Sequence, residues 1–75
     1  MKLDVCRPGD HVRLLDFGLT PANYRRRLLM LGITPNTILQ VIRFAPLGCP
    51  IEVKVRDTFL SLRQDETRHL NWEKS

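Results

Sequence analysis

From Ile51 to Arg56 apolar and polar residues alternate without a break. Ile51, Val53 and Val55 fall on one side; Glu52, Lys54 and Arg56 fall on the other. Successive side chains of a strand point to opposite faces, so this segment predicts a strand with one face in a core and one in water. His11 to Leu14 follows the same rule, with Val12 and Leu14 inward, until Leu15 breaks the alternation. Thr37 to Phe44 is rich in β-branched and aromatic residues and carries apolar groups on both faces, which predicts a central strand. Phe59 to Arg63 predicts a fourth strand with Leu60 and Leu62 inward. His69 to Glu73 predicts a short fifth strand with Leu70 and Trp72 inward.

Between Pro21 and Leu31 the period changes. Tyr24, Leu28 and Leu31 recur at i, i+4 and i+7, the spacing that puts them on one face of a helix. Thr20 can cap this helix, Pro21 suits its first position, and Gly32 is the expected left-handed stop. Leu29 and Met30 fall off the buried stripe and lie beside Arg26. Arg26, Leu29 and Met30 are therefore a candidate binding face, since apolar groups next to arginine and away from a core are common at interfaces. Two plainer readings stand beside this one. A small barrel can bury Leu29 or Met30 by another route, and the run Arg25-Arg26-Arg27 can be an ordinary solvated face.

The connections read as turns. Met1 to Asp10 is a lead-in ending in Arg7-Pro8-Gly9-Asp10, and Ile33-Thr34-Pro35-Asn36 is a second turn. Asp57-Thr58 is a tight turn, and Gln64 to Thr67 a single helical turn. The segment Arg43 to Glu52 is the most constrained. Pro46 fits the second position of a type I turn and Gly48 the fourth. Ala45 and Cys49, each before a proline, are biased toward extended backbone. This predicts a stiff loop at the edge of a sheet with an apolar tip at Leu47. Such a loop loses little entropy on docking, so Pro46, Leu47, Gly48, Cys49 and Pro50 are candidate partner-binding residues. A barrel corner with no further duty is the alternative.

Five short strands and one helix inserted after the first strand, within 75 residues, predict a mainly β fold. The expected form is one domain over residues 1–75, a small closed or nearly closed barrel whose closure protects its strand edges. Composition agrees: 43% hydrophobic and 27% charged residues are globular proportions. No run is long enough to cross a bilayer and no secretion signal precedes the first strand, which predicts a cytoplasmic protein without membrane insertion. The formal charge of +4 points to an anionic partner. The basic-aromatic interleaving of a single-strand binder is missing, so a protein partner ranks above nucleic acid. Self-association is left open.

No catalytic constellation emerges. His11 and His69 lie in different strands, no serine sits in a nucleophile elbow, and no glycine-rich phosphate loop is present. The reading is therefore no enzyme, no catalytic residues and no cofactor. Cys6, Cys49, His11 and His69 are the soft metal ligands, and none pair at ligand spacing, so no metal site is assigned. Cys6 and Cys49 are far apart in sequence and are expected as free thiols in a reducing compartment. Cys49 could serve as a reactive thiol or ligand, or be a small side chain beside a proline.

The run Leu31-Gly32-Ile33-Thr34-Pro35, then Val41-Ile42-Arg43, Ala45-Pro46-Leu47-Gly48, Pro50-Ile51 and Leu60-Ser61-Leu62-Arg63, resembles the bacterial ferrous iron transport protein A family, FeoA. The resemblance covers roughly Pro21 to Trp72. It implies an SH3-like barrel and a small cytoplasmic accessory of Fe(II) uptake. The implied partner is FeoB, a membrane transporter with a cytoplasmic G-protein domain. Three positions depart from the family's usual pattern. Asn36 and Asp57 stand where glycine is frequent, and both residue types tolerate left-handed backbone. Cys49 replaces a frequent aspartate between Gly48 and Pro50. The same barrel resembles the C-terminal domain of iron-dependent repressors, which implies the rival reading of a metal-sensing or regulatory module. The DNA-binding helices of those repressors are missing from this sequence.

Overall fold

A computed structural model describes residues 1–75. The elements in chain order are β1 (His11–Asp16), α1 (Ala22–Met30), β2 (Ile38–Phe44), β3 (Ile51–Val55), β4 (Thr58–Leu62), α2 (Gln64–Thr67) and β5 (Asn71–Lys74). The strands form one antiparallel sheet in the order β4-β3-β2-β1-β5. The alternation in the sequence is realised directly. Val12, Leu14, Leu39, Val41, Ile51, Val53, Val55, Leu62, Leu70 and Trp72 are buried in one core with Leu28 and Ile33. Leu15, where the alternation fails, lies at a bulge between β1 and β5, and a second bulge interrupts the β2–β3 register between Val41 and Arg43.

Helix α1 ends as its glycine predicts. Gly32 has φ +87°, its amide donates to Leu29, and the Ile33 amide donates to Leu28. This is the paired-bond stop in which the residue after the glycine packs back on the last turn; Leu28 and Ile33 are both fully buried. The start differs from expectation. Pro21 occupies the capping position and Thr20 does not cap, because its hydroxyl donates to the Phe17 carbonyl at 2.5 Å.

The sheet does not close. No ladder joins β4 to β5. The outer edge of β5 is instead taken by the start of the chain: the Trp72 amide donates to the Met1 carbonyl at 3.0 Å, and the Met1 amino group donates to the Trp72 carbonyl at 2.7 Å. Leu3 follows on a short 3-10 turn and is buried, as is Cys6. The segment Met1–Asp10 is therefore core-forming rather than a lead-in. Trp72 lies in the centre of this core, and its Nε1–H has no acceptor within the protein.

Two smaller expectations are also corrected. The β3–β4 hairpin turns on Arg56-Asp57, with Val55 opposite Thr58, and its left-handed residue is Arg56 at φ +56° rather than Asp57. Strand β5 begins at Asn71 rather than His69. Asn36 does adopt left-handed backbone, at φ +75°.

Candidate docking surface

The loop between β2 and β3 carries five of the eight candidate residues. It joins two interior strands, so it projects from a hairpin end and not from a sheet edge. The Ala45 amide donates to the Pro50 carbonyl at 3.0 Å, which extends the ladder up to the prolines. Beyond it the Gly48 amide donates to the Ala45 carbonyl at 2.8 Å, closing a turn over Pro46 and Leu47. Leu47 has φ 72° and ψ 10°. With Pro46 locked at negative φ, these angles define a type II turn, not the expected type I. Glycine is the usual occupant of that third position. A leucine there costs about 1–2 kcal/mol, because its Cβ crowds the following carbonyl.

Nothing in the chain compensates for this cost through packing. The Leu47 side chain is fully exposed, and Pro46, Cys49 and Pro50 are exposed around it. The Cys49–Pro50 bond is cis. The base of the loop is held by an ion pair between Arg43 and Glu52, whose hydrogen bond and charge raise the Arg43 guanidinium above its ordinary pKa.

The second candidate group lies on α1. Leu28 faces the core, and Tyr24 and Leu31 flank it half-buried, as the helical spacing predicts. Met30 and Arg26 lie on the opposite side of the helix and Leu29 between them and the core. All three are exposed, Met30 at 82%. The alternative burial of Leu29 or Met30 is therefore not realised. The arginine triplet is not uniform, however. Arg27 Nε donates to Glu66 Oε2 at 2.6 Å, and the Glu66 side chain is only 3% exposed. Glu66 also accepts the Arg63 amide at 3.4 Å, so it holds the first turn of α2 as well as α1.

Helix α2 is thus the link between the two candidate groups. It is tied to α1 through Arg27–Glu66, and Gln64 lies beside Gly48 of the loop. The sequence offered no signal for this link, since Arg27 and Glu66 are separated by 39 positions and glutamate is seldom buried.

The polar groups do not converge on chemistry. Cys6 is buried and free, Cys49 exposed and free. Burial pushes the Cys6 thiol up, and the charge of Asp10 adds to the shift. No three His, Cys, Asp or Glu side chains come together as a metal-holding group. A cavity of about 200 Å³ opens between the start of the chain and α2, with Lys2, Asp4, Gln64, Thr67 and Arg68 on its wall. That volume is below the usual range for small-molecule sites, and its wall holds one carboxylate and no histidine or cysteine. No helix is long and apolar enough to cross a membrane.

Fold and surface together define a small SH3-like scaffold that displays a strained apolar loop tip and an amphipathic helix face. A family model for the FeoA domain matches residues 1–74. The chain belongs to the FeoA family, which is tied to ferrous iron transport. Among solved structures, the FeoA protein from Chlorobium tepidum is 38% identical, with 99% of this chain matched to 70% of that one at a TM-score of 0.85. Iron(II) transport protein A from Clostridium thermocellum is 27% identical at a TM-score of 0.88; 99% of this chain is matched, but it spans only 45% of that one. FeoA from Stenotrophomonas maltophilia, solved with zinc and described as a procaryotic SH3 domain protein, is 24% identical over 97% of this chain and 89% of that one, at a TM-score of 0.78. The fold also recurs in a manganese-dependent transcriptional repressor, 20% identical over all of this chain and 41% of that one, at a TM-score of 0.86.

Proposed function

We propose that residues 1–75 act as one non-catalytic cytoplasmic unit that assists bacterial Fe(II) uptake by docking on the transporter FeoB. Pro46, Leu47, Gly48, Cys49 and Pro50 form the principal contact, and Arg26, Leu29 and Met30 on α1 form the second. The observation that carries this reading is Leu47: a leucine held in left-handed backbone with its whole side chain in water. Strain of this kind persists where it serves a site rather than the fold. Membership of a family tied to ferrous iron transport supplies the system in which the partner is sought.

Burial of one leucine side chain contributes about 1.5–3 kcal/mol to an interface. Leu47→Asp is therefore expected to weaken association with FeoB at least about tenfold, since each 1.4 kcal/mol is a factor of ten. Fe(II) uptake falls with it while the circular dichroism spectrum is unchanged. Association and uptake at wild-type levels would remove the loop from the contact.

A second reading, a metal-sensing or regulatory module, is favoured by the exposed free thiol of Cys49. Titration of the reduced protein with Fe(II) or Zn(II) tests it. Binding at micromolar metal that is lost in Cys49→Ser would support it.

A further inference from the structure

The two outer edges of the sheet are treated differently. The outer edge of β5 is paired with Met1. The outer edge of β4 pairs with no other strand, and its backbone makes no hydrogen bond to a helix or loop of the chain. Which backbone groups it displays follows from the register. The Pro50 carbonyl accepts the Ala45 amide and so points toward β2. Backbone direction alternates along a strand, so Ile51, Val53 and Val55 point toward β4. Their partners Leu62, Leu60 and Thr58 answer them. Phe59 and Ser61 are left with both N–H and C=O directed outward, and neither makes a bond to another part of the chain.

Sheet proteins commonly blunt such an edge with proline, a bulge or an inward charge. Strand β4 has none of these: its sequence is Thr-Phe-Leu-Ser-Leu and its register against β3 is unbroken. Phe59 is 67% exposed, with the Lys54 ammonium 5.6 Å from its ring centroid. Asp57, in the hairpin turn before the strand, and Arg63, just after it, flank Phe59 and Ser61, and neither takes part in an ion pair within the chain.

We propose that β4 pairs antiparallel with β4 of a second copy of this chain, about a two-fold axis through Leu60. In that register Phe59 stands opposite Ser61 of the partner copy, and the outward groups of both residues exchange hydrogen bonds, twice over by symmetry. The same register sets Asp57 opposite Arg63, again twice. A shift by two residues in either direction preserves hydrogen bonding but places Asp57 opposite Ser61 or Phe59 opposite Arg63, and loses both charge pairs. The edge is thus self-complementary in one register, which selects a second copy over an unrelated strand. The surface shares no residue with the Leu47 loop or with α1, so it stands or falls apart from the docking on FeoB.

The test is the mass of the full chain by sedimentation equilibrium from about 10 μM to about 1 mM, the range in which association of roughly 4–7 kcal/mol is visible. The mass is expected to rise with concentration from 8.7 kDa toward twice that value. Ser61→Pro removes an outward donor without breaking a bond to β3, and should leave a folded monomer throughout. Asp57→Arg and Arg63→Asp should each weaken the dimer at least about tenfold, and the double exchange should restore it to within about threefold of wild type. A chain that stays monomeric to 1 mM, a dimer that survives Ser61→Pro, or a double exchange that fails to restore association overturns the proposal. The first outcome leaves the edge to an extended segment of another protein.

Discussion

Gly18 and Leu47 share an unusual backbone conformation for opposite reasons. Gly18, in the turn between β1 and α1, has φ +56°, and a Cβ there would collide with the His69 carbonyl oxygen. Its amide donates to Asp16 Oδ1 at 2.9 Å, which also accepts Asn71 Nδ2 at 2.7 Å. The His69 backbone leaves that turn no other residue. Leu47 has φ 72° at the tip of a loop with open solvent around it, where nothing about the fold requires a side chain. In one place glycine's freedom at positive φ lets two parts of the protein approach; in the other, strained backbone lifts an apolar group clear of them. The first position serves the fold; the second is the one proposed for docking.

The largest effect that would sharpen this contrast is at Gly18. Gly18→Ala adds both a collision with backbone and a left-handed penalty, and should destabilise by about 3 kcal/mol or more, lowering the urea midpoint. A loss under about 1 kcal/mol would mean that the turn relaxes, and the contrast would fail. Helix α1 contains the same division within adjacent residues. Arg27→Ala leaves the Glu66 carboxylate buried without its cation and should cost about 1–3 kcal/mol, whereas Arg26→Ala should change stability by no more than about 0.5 kcal/mol. Equal effects would place both arginines in the same role.

Leu47→Gly acts in the other direction. Removing the Cβ relieves the turn, so stability should rise by about 0.5–1 kcal/mol after the added chain entropy, while affinity for the partner falls. A protein that becomes both less stable and no weaker in binding would show that Leu47 belongs to the fold. The cysteines give the smallest effect. In the native protein a thiol reagent should label Cys49 alone, and both thiols after unfolding. Because burial raises the Cys6 pKa, the unfolded chain loses that proton first as pH rises. Stability is then full below the ordinary thiol pKa and declines above it, until the folded thiol also ionises. In Cys6→Ala that alkaline decline should be reduced.

These contrasts also mark where the sequence was legible. Ile51, Val53 and Val55 announce their strand because one face is wet and the other dry, and Gly32 announces a helix stop because its alternatives are costly. The displayed residues Arg26, Leu29, Met30 and Leu47 were visible as apolar or basic groups off any buried stripe. The turn type at Leu47 was not, because Pro46 suits type I and type II equally, and leucine gives no hint of left-handed backbone. Leu3 and Cys6 were missed because the short alternation of Met1, Leu3 and Val5 runs straight into turn formers, and the fold turns it into a 3-10 turn that buries Leu3 and Cys6 but leaves Val5 exposed. The Arg27–Glu66 pair and the Met1–Trp72 pairing were missed because both join distant parts of the chain. Closure of the barrel was expected from strand count; count alone does not say which element covers an edge.

The lone tryptophan offers a practical consequence. Trp72 is fully enclosed, and its indole N–H finds no protein acceptor. Its emission should therefore sit toward the blue and shift to longer wavelength only when the interior opens. Contact at the loop tip or at the β4 edge would leave that light unchanged, so one cuvette can report loss of fold separately from capture of a partner.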